Sequence, residues 1–430
     1  MEKSVFRVYK FGGASINSIE RIKGVSEIIR HAMEKDYSQR VMLIISAMGK
    51  TTNALEKVAE AFFASEQEKA LQLFDAVKQD HIQLAKELLV YNFDACMAHL
   101  SDVITEAEWM LHDKPVRDHD YYYDQIVCLG ELLSTIIISA YLNEAGLPTQ
   151  WLDVRDIIRT DDNFRDANID WRITTDNLRQ SLILTEPTTR IFLSQGFVGS
   201  TDENESTTLG REGSDFTAAI FANLLNAESM TIWKDVESVM NADPRQFASA
   251  VPIAELNYEE VIEMAYYGAQ VIHPKTIKPL YQKNIPLYVK CFLDETLAGT
   301  EIHNRAVKDL PPIIVQKENQ VLLHFHSKDY SFVGERPIGQ LYHLFEDLSI
   351  RPSLTQNGAI SFLCCVDDRE DKIQKLAFAA DSFFDIQIEK GLTLLTVRHY
   401  EESLVHELIG KREIVLKQQD GLKTIQVLLR

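Results

Sequence analysis

Cysteine is scarce in this 430-residue sequence, which has five and no C-x-x-C pair. The usual spacing of a zinc site is therefore missing, and no set of protein metal ligands is expected. An oxidised disulfide framework is equally unexpected, which favours a reducing, cytoplasmic location. A chain of this length buries enough apolar surface to be stable without disulfides. The cysteines are Cys96, Cys128, Cys291, Cys364 and Cys365.

Long apolar segments and excess positive charge are also missing. The longest apolar stretches, at 41–45 and 136–138, are far too short to cross a bilayer, and the first residues lack the apolar run of a signal peptide. The net charge is −20, because 64 acidic residues outnumber 44 basic ones. Such a surface repels nucleic acid and anionic membranes but still allows a local basic pocket for a small anion. We therefore expect neither a nucleic acid nor a membrane as partner.

The first 300 residues alternate β-rich runs with amphipathic helical segments. Strands are predicted at 6–11 and 41–46 with a helix between them, which is a βαβ unit of a parallel sheet. The clearest helix is predicted at 126–142. Other predicted strands lie at 150–154, 190–197, 229–233 and 285–290, and other predicted helices at 216–225 and 258–267. The predicted fold class is α/β.

A proline-containing segment at 309–312 predicts a domain boundary, and about three domains are expected for this length. Beyond it, strands and helices follow the order β-α-β-β-α-β over 312–391, which is a ferredoxin-like module. A second copy over 392–430 is shorter and lacks its last helix and strand. The strand at 312–317 has no place in the first copy, and we expect it to complete the second.

The glycine-rich motif KFGGAS, at 10–15, lies where the first strand gives way to a helix. Gly12 and Gly13 let backbone N–H groups approach a phosphate, and Lys10 supplies a positive charge for the same anion. The alternative is an ordinary strand-to-helix turn. The motif SAMGKTTN, at 46–53, follows the second strand, where small residues and hydroxyls form either a ligand site or a polar loop.

The segment TTLGREGSDFT, at 207–217, is the most informative. Glycines and hydroxyls precede a helix whose N-cap we expect to be Ser214 or Asp215. Arg211 carries a planar guanidinium that binds a carboxylate or phosphate through two hydrogen bonds. A structural loop rarely concentrates these residue types just before a helix, so the segment predicts an anion-binding site.

Other charged residues admit two interpretations each. Glu131 interrupts the apolar face of the predicted helix and either pairs with an ammonium group or lies in solvent. Lys234, Asp235 and Arg245 follow a predicted strand and either contact a nucleotide or form a charged surface loop. His273 is expected to be a packed turn residue, because no second histidine lies at ligand spacing. No Ser/His/Asp or Cys/His nucleophile set is visible, so covalent hydrolase chemistry has no support.

Together, the motifs KFGGAS, SAMGKTTN, GELLST, TTLGREGSDFTAA, WKDVESVMNADPR and AYYGAQVIHPKTI resemble aspartate kinases of the amino-acid kinase family, over about residues 5–430. The resemblance implies an amino-acid kinase fold over 1–308, with a mainly parallel sheet between helices, followed by two ACT modules at 312–391 and 392–430. It implies phosphoryl transfer from ATP, with Mg²⁺ on the phosphates, to L-aspartate. The product, 4-phospho-L-aspartate, begins the synthesis of lysine, threonine and methionine. Because the nucleophile is a carboxylate already ionised at pH 7, catalysis reduces to alignment and charge neutralisation.

The resemblance also implies residue roles. Lys10 would neutralise the phosphoryl oxygens in the transition state, and Asp215 would hold Lys10 in place. Arg211 would bind the α-carboxylate of aspartate, and Glu131 would receive its ammonium. The substrate-binding residues would be Thr52, Glu131, Arg211, Glu212, Gly213 and Ser214. The nucleotide-binding residues would be Lys10, Phe11, Gly12, Gly13, Lys234, Asp235, Met240, Arg245, Gln270, Val271 and Lys275.

The sequence departs from the family pattern within this site. Glu212 stands where the family often has Gly. Met240 and Gln270 stand where Tyr and Lys are frequent, and Lys275 is the residue that would replace the missing lysine charge. These departures bear on affinity rather than on the class of reaction.

Regulation and assembly are expected to involve the ACT modules. Regulated relatives bind lysine there through an acidic residue early in the second strand, and Ser353 stands in that place here. We therefore predict that inhibition by lysine is weak or absent, or that the amino-acid effector differs. ACT modules pair edge to edge, so a homodimer or a higher homo-oligomer is expected. The alternatives to an aspartate kinase are a catalytically weak amino-acid sensor and another amino-acid kinase, such as acetylglutamate kinase.

Overall fold

The computed structural model describes residues 5–186, 188–421 and 423–430. They form two compact units, of which the first comprises the chain up to Val239 together with Pro252–Ile262 and Val271–Val307. The second comprises Met240–Val251, Glu263–Gln270 and Lys308–Arg430. Two short segments before residue 308 thus belong to the second unit, whereas the sequence-based boundary places them in the first. The predicted domain limits stay predictions.

Strands and helices follow one another along the described chain. The strands are β1 (Val5–Phe11), β2 (Gln39–Ile45), β3 (Thr149–Leu152), β4 (Ile191–Gln195), β5 (Val198–Ser200), β6 (Ser206–Thr208), β7 (Ser229–Lys234), β8 (Val239–Met240), β9 (Pro252–Ile253), β10 (Glu255–Asn257), β11 (Leu287–Cys291), β12 (Thr300–His303), β13 (Ile313–Ser327), β14 (Leu354–Asn357), β15 (Ser361–Asp367), β16 (Phe384–Arg398), β17 (Ile414–Gln419) and β18 (Thr424–Leu429). The helices are α1 (Ile19–Lys35), α2 (Thr51–Phe63), α3 (Gln67–Leu88), α4 (Phe93–His112), α5 (His119–Val127), α6 (Leu129–Glu144), α7 (Trp171–Ile183), α8 (Gly213–Leu225), α9 (Tyr258–Tyr267), α10 (Pro274–Lys283), α11 (Glu335–Asp347), α12 (Glu370–Ala380) and α13 (Glu402–Ile409), with short 3-10 turns at Gly13–Ile16 and Val154–Asp156.

The first unit is built on an eight-stranded sheet in the order β10-β12-β11-β7-β1-β2-β4-β3. The six strands from β11 to β3 are parallel to one another, and β12 runs antiparallel to β11. The central strand β1 places Lys10 opposite Ile44 of β2 and Ile232 of β7. The predicted α/β class with a mainly parallel sheet is confirmed. In such a sheet the carboxyl ends of parallel strands share one edge, where ligands bind.

The local sequence explains the buried elements. Strand β2 is almost continuously apolar and buried, which is typical of a parallel strand covered on both faces. The helix predicted at 126–142 is observed as α6, which starts at Leu129, while Ile126 and Val127 end α5. The stretch His119–Glu144 is long and apolar enough to span a membrane by composition, but 83% of its most apolar window is buried inside the protein. A helix that is apolar on all sides and buried is the centre of a globular core.

The second unit contains a six-stranded antiparallel sheet in the order β14-β15-β13-β16-β18-β17. The 15-residue strands β13 and β16 run through both halves of this sheet. The first part of β13, from Ile313 to Lys317, pairs with the last part of β16, which belongs to the second predicted copy. The last strand of the first predicted copy and the first strand of the second are one strand, β16, and Gly391 adopts a φ of +74° where the register is irregular.

Candidate active site

A cavity of about 430 Å³ opens in the first unit beside the ends of β1, β2 and β4. It brings together all of the residues predicted to act in catalysis or substrate binding, although their roles stay predictions. Those residues are Lys10, Thr52, Glu131, Arg211, Glu212, Gly213, Ser214 and Asp215. The cavity is also lined by residues without a predicted role, among them Tyr123, Arg165, Phe197 and Thr208.

An ion pair between Lys10 and Asp215 lies in this cavity. The Lys10 Nζ atom is 2.7 Å from Oδ1 of Asp215, and the two side chains are only 13% and 6% exposed. Lys10 comes from the end of β1, and Asp215 from the first turn of α8, where the helix dipole favours a negative charge. The pair therefore holds an ammonium group at the strand edge with much of its hydration removed.

The start of α8 differs from the sequence prediction. We expected Ser214 or Asp215 to be the N-cap, but the helix begins at Gly213 and its N-cap is Glu212. Glu212 adopts a left-handed φ of +55°, and no side chain caps the helix. Gly13 and Gly213 allow close packing nearby, because a Cβ on Gly213 would lie 2.6 Å from the ring of Phe197. Ser214 and Asp215 are thereby left to line the cavity instead of capping the helix.

Glu131 presents a buried carboxyl oxygen without a hydrogen-bond partner. Its Oε1 accepts the Ala47 N–H at 3.2 Å, whereas Oε2 is buried and unpaired within the described residues. Burial raises the pKa of Glu131 to about 8, although the Ala47 N–H and the charge of Lys10 both lower it. Of the two interpretations of Glu131, the structure favours pairing with a ligand cation over a solvated helix charge.

Asp124 is a buried carboxylate that no sequence motif predicted, and it accepts hydrogen bonds from two segments of the cavity wall. Asp124 accepts the backbone N–H of Arg165 at 2.9 Å, the N–H of Thr208 at 2.7 Å and the Thr208 hydroxyl at 2.7 Å. Burial raises the pKa of Asp124 to about 6, and these donors lower it. No local motif marks Asp124 or Arg165, because their partners lie 41 and 84 residues apart in sequence.

Glu212 contacts a segment that precedes α10. Its Oε2 accepts the N–H of His273 at 2.8 Å. The ring of His273 in turn accepts the N–H of Lys275 at 3.2 Å as the N-cap of α10, as expected of a packed turn residue. The carboxylate of Glu212, which stands where the family often has glycine, therefore already accepts a hydrogen bond within the protein.

The two glycine-containing motifs predicted to bind phosphate contact each other. The N–H of Gly49 donates to the carbonyl of Gly13 at 3.1 Å. A Cβ on Gly13 would lie 2.6 Å from the carbonyl oxygen of Ala47, whereas one on Gly12 would meet only Lys10 Nζ at 3.3 Å. The side chain of Phe11 is fully buried and stacks on Trp233 with ring centroids 5.9 Å apart, so only its backbone reaches the strand edge.

The other predicted nucleotide-binding residues are dispersed. Lys234 donates to the carbonyl of Val271 at 2.8 Å, and Asp235 beside it is exposed. Lys275 forms an ion pair with Asp166, so its charge already has a partner. Met240, Arg245 and Gln270 belong to the second unit, and Arg245 pairs there with Asp243 at 2.7 Å. Within the described residues no group of three or more His, Cys, Asp or Glu side chains is placed to hold a metal ion.

Comparison with known proteins identifies the family of this chain. Residues 6–291 match the amino acid kinase family. The chain is 34% identical over 301 residues to a bifunctional aspartokinase/homoserine dehydrogenase 1 of Arabidopsis thaliana, covering 69% of this chain and 32% of that one. It thus spans about a third of the length of this relative.

Two comparisons cover more of the chain. The lysine-sensitive aspartokinase 3 of Escherichia coli is 27% identical over 401 residues, or 91% of this chain and 86% of the relative. The crystal structure of E. coli aspartokinase III in complex with aspartate and ADP superposes with a TM-score of 0.78 at 25% identity, covering 99% of this chain and 96% of that one. The chain belongs to the amino acid kinase family, and the two relatives named above are an aspartokinase and a bifunctional aspartokinase/homoserine dehydrogenase.

Proposed function

We propose that this protein is an aspartate kinase, which transfers the γ-phosphoryl group of ATP to the side-chain carboxylate of L-aspartate. The observation that carries the proposal is the single cavity that holds the Lys10–Asp215 pair together with the unpaired carboxyl oxygen of Glu131. The ammonium of Lys10 suits a transferred phosphoryl group, and the unpaired oxygen of Glu131 suits a ligand ammonium. The relatives named aspartokinases support the same substrate.

The reaction needs no proton transfer. An oxygen of the aspartate side-chain carboxylate forms a bond to the γ-phosphorus, and the bond from that phosphorus to the bridging oxygen breaks. The bonding electron pair leaves with ADP, and the product is the mixed anhydride 4-phospho-L-aspartate. Lys10 neutralises charge on the equatorial phosphoryl oxygens, and Asp215 fixes the ammonium of Lys10 in position.

Selection of the substrate follows from the carboxylate and guanidinium groups of the cavity. Glu131 has an oxygen that no protein group satisfies, so a bound ammonium restores its hydrogen bonding and stabilises its charged form. Arg211 lines the same cavity and is exposed, which leaves its guanidinium free to bind the α-carboxylate. An N-acylated amino acid lacks the ammonium and leaves Glu131 unsatisfied.

Mg²⁺ enters this proposal as part of the co-substrate MgATP. The proposal places the ion on the phosphates and assigns it no protein ligand. When bound, Mg²⁺ neutralises phosphate charge. The protein's own part is to position the acceptor and to supply the ammonium of Lys10.

The experiment is hydroxylamine trapping of the acyl phosphate with MgATP and one of four acceptors: L-aspartate, L-glutamate, N-acetyl-L-aspartate and N-acetyl-L-glutamate. We expect hydroxamate from L-aspartate alone. Turnover of either N-acetylated acid would contradict the role of Glu131 and favour another kinase of this family. Amino-acid binding without turnover of any acid would favour a sensor.

We further propose that lysine inhibits this protein weakly or not at all. Ser353, in the second unit, accepts a hydrogen bond from the ammonium of Lys317 at 3.0 Å, so this position is engaged with an internal lysine. The test is activity titrated with lysine, threonine and methionine. Strong inhibition by lysine alone at micromolar concentration would contradict the proposal.

A homodimer or higher homo-oligomer is proposed because β14 and β17 end the antiparallel sheet and leave strand edges open to pairing. Light scattering after size exclusion measures the mass directly. A monomer at all concentrations used for assays would contradict it.

A further inference from the structure

Arg165 lies on the wall of the substrate cavity in a backbone conformation that few side chains adopt. Its φ is +69°, in the left-handed region that favours glycine. The backbone is held there by the buried carboxylate of Asp124, which accepts the Arg165 N–H at 2.9 Å. The same carboxylate holds Thr208, a few residues before Arg211. Asp124 therefore fixes the two arginine-bearing segments of the cavity relative to each other.

The side chain of Arg165 makes two contacts although it is not buried. Its guanidinium lies 4.3 Å from the ring centroid of Tyr123, another residue of the cavity wall, and 3.1 Å from Oδ1 of Asp120. The Arg165 and Asp120 side chains are 48% and 56% exposed. An ion pair that exposed contributes little, so a ligand carboxylate competes for the guanidinium at small cost.

Two guanidinium groups of the cavity wall are available to bind a ligand carboxylate. The Lys10 charge is paired with Asp215, and the carboxylate of Glu212 accepts the N–H of His273. Arg165 and Arg211 remain, and no buried carboxylate of the described cavity wall pairs with either guanidinium. A carboxylate that accepts hydrogen bonds from two planar guanidinium groups is fixed in orientation, and its negative charge is neutralised as well.

We propose that Arg165 is a second substrate-binding arginine, which together with Arg211 binds the non-reacting α-carboxylate of the amino-acid substrate. This inference rests on the proposed aspartate kinase function and deepens it. The contact orients the substrate, so that its side-chain carboxylate faces the phosphoryl group near Lys10. Asp124 acts through Arg165 and is a positioning residue.

The test compares the wild type with Arg165→Gly in hydroxamate kinetics and in calorimetric binding of L-aspartate. Glycine accepts the left-handed φ at this position, so this variant removes the side chain while the fold is retained. We expect KM and Kd for L-aspartate to rise about 10- to 100-fold, the range for loss of a charge-assisted hydrogen bond, with KM for ATP unchanged. A KM for L-aspartate within about twofold of the wild type, or a rise confined to ATP, would overturn the inference.

A modified substrate identifies which carboxylate is bound. L-Aspartic acid α-amide keeps the reacting carboxylate but lacks the α-carboxylate. The wild type should bind it more weakly than L-aspartate, and this penalty should shrink in Arg165→Gly, because the contact is already lost. An equal penalty in both proteins would overturn the assignment to the α-carboxylate.

The matched control is Arg117→Ala. Arg117 also lies over an aromatic ring, at 3.9 Å from the centroid of Tyr121, and pairs with Glu205, but it is not part of the cavity wall. Its KM for L-aspartate should stay at the wild-type value, and a rise equal to that of Arg165→Gly would contradict a specific contact. Failure of the proposed function shows separately, as absence of hydroxamate from the wild type, and calorimetry then still decides whether Arg165 binds the amino acid.

Discussion

The two compact units bury polar groups in opposite ways. In the first, the buried side-chain atoms that lack a hydrogen bond in the described chain include oxygens of Glu131 and Ser194 and a ring nitrogen of His81. In the second, the described buried polar residues are few, and they are Asn241, Gln320, Thr396, Arg398 and Thr424. None of these has a buried atom without a partner among the described residues.

In the second unit, apolar side chains fill the cores and few of the described polar side chains are buried. One of its cores contains Phe325, Phe345 and Phe362 under helices α11 and α12, and another contains Leu395, Val397 and Ile425 under α13. In the first unit, the unpaired oxygen of Glu131 lies beside the cavity described above. Because an unpaired buried polar atom costs about 1–3 kcal/mol, the protein gives up stability at this position, where a ligand ammonium would restore the hydrogen bond.

The largest expected effect is loss of the chemical step in Lys10→Ala. In the proposed mechanism the ammonium of Lys10, which pairs with Asp215, neutralises the transferred phosphoryl group. Its removal should lower kcat by about 10²–10³-fold, by analogy with the loss of one stabilising group for developing charge. The measurement is hydroxamate formation at saturating MgATP and L-aspartate, with thermal unfolding to show that the fold persists.

The control for that variant is Lys78→Ala, which removes an ammonium paired with Asp75 and Glu108 on the surface helices. It should keep wild-type kcat. Wild-type turnover by Lys10→Ala would show that this ion pair takes no part in the chemical step. The contrast between a reactive first unit and a packed second unit would then have no support.

A change in packing should affect stability instead. Phe345 is 2% exposed in the larger core of the second unit, and Phe345→Ala should lower the free energy of unfolding by about 3–5 kcal/mol. Urea unfolding followed by circular dichroism measures this. The exposed Phe378, at 88% exposure, provides the control, because Phe378→Ala should change stability very little. Similar losses in both variants would contradict the core assignment.

The buried Glu131 makes stability depend on pH. Its pKa is raised from the unfolded value of 4.5 to about 8, so between these values the folded state holds a proton that the unfolded state has lost. The contribution is complete below the unfolded pKa and decreases as pH rises towards 8, by at most about 1.4 kcal/mol per pH unit.

Glu131→Gln should remove that dependence, so that its stability relative to the wild type increases from pH 5 to pH 8. Unfolding in urea at several pH values measures the difference. A constant difference across this range would mean that Glu131 is not the buried acid described above.

The smallest expected effect is that of Gly24→Ala in the first unit, and Gly13→Ala is its contrasting variant. A Cβ on Gly24, in α1, meets nothing within 4 Å, so Gly24→Ala should stabilise the protein by about 0.5–1 kcal/mol. Gly13→Ala places a Cβ 2.6 Å from a carbonyl oxygen and should reduce activity and stability together. Equal behaviour of the two variants in thermal unfolding would show that the glycine motif is not tightly packed.

Elements with a strong local pattern were predicted well, and contacts between distant segments were not. Strands β1 and β7 and helices α1 and α9 lie where apolar periodicity places them. The helices between Thr51 and His112 carried no prediction. At the start of α9, the side chain of Asn257 accepts the N–H of Glu260 at 2.7 Å. The N-cap of α8 was wrong, because a left-handed Glu212 takes that place.

The sequence motifs by themselves predicted that lysine, arginine and glycine residues gather at the ends of parallel strands. Residue type and local spacing carry that information. Folding alone decided that Glu131 lies in the cavity with an unsatisfied oxygen, and that Asp124 joins Arg165 to Thr208. Burial and hydrogen bonding of these groups depend on neighbours that lie far away along the chain. Such contacts leave no local signature, so only the packed structure reveals them.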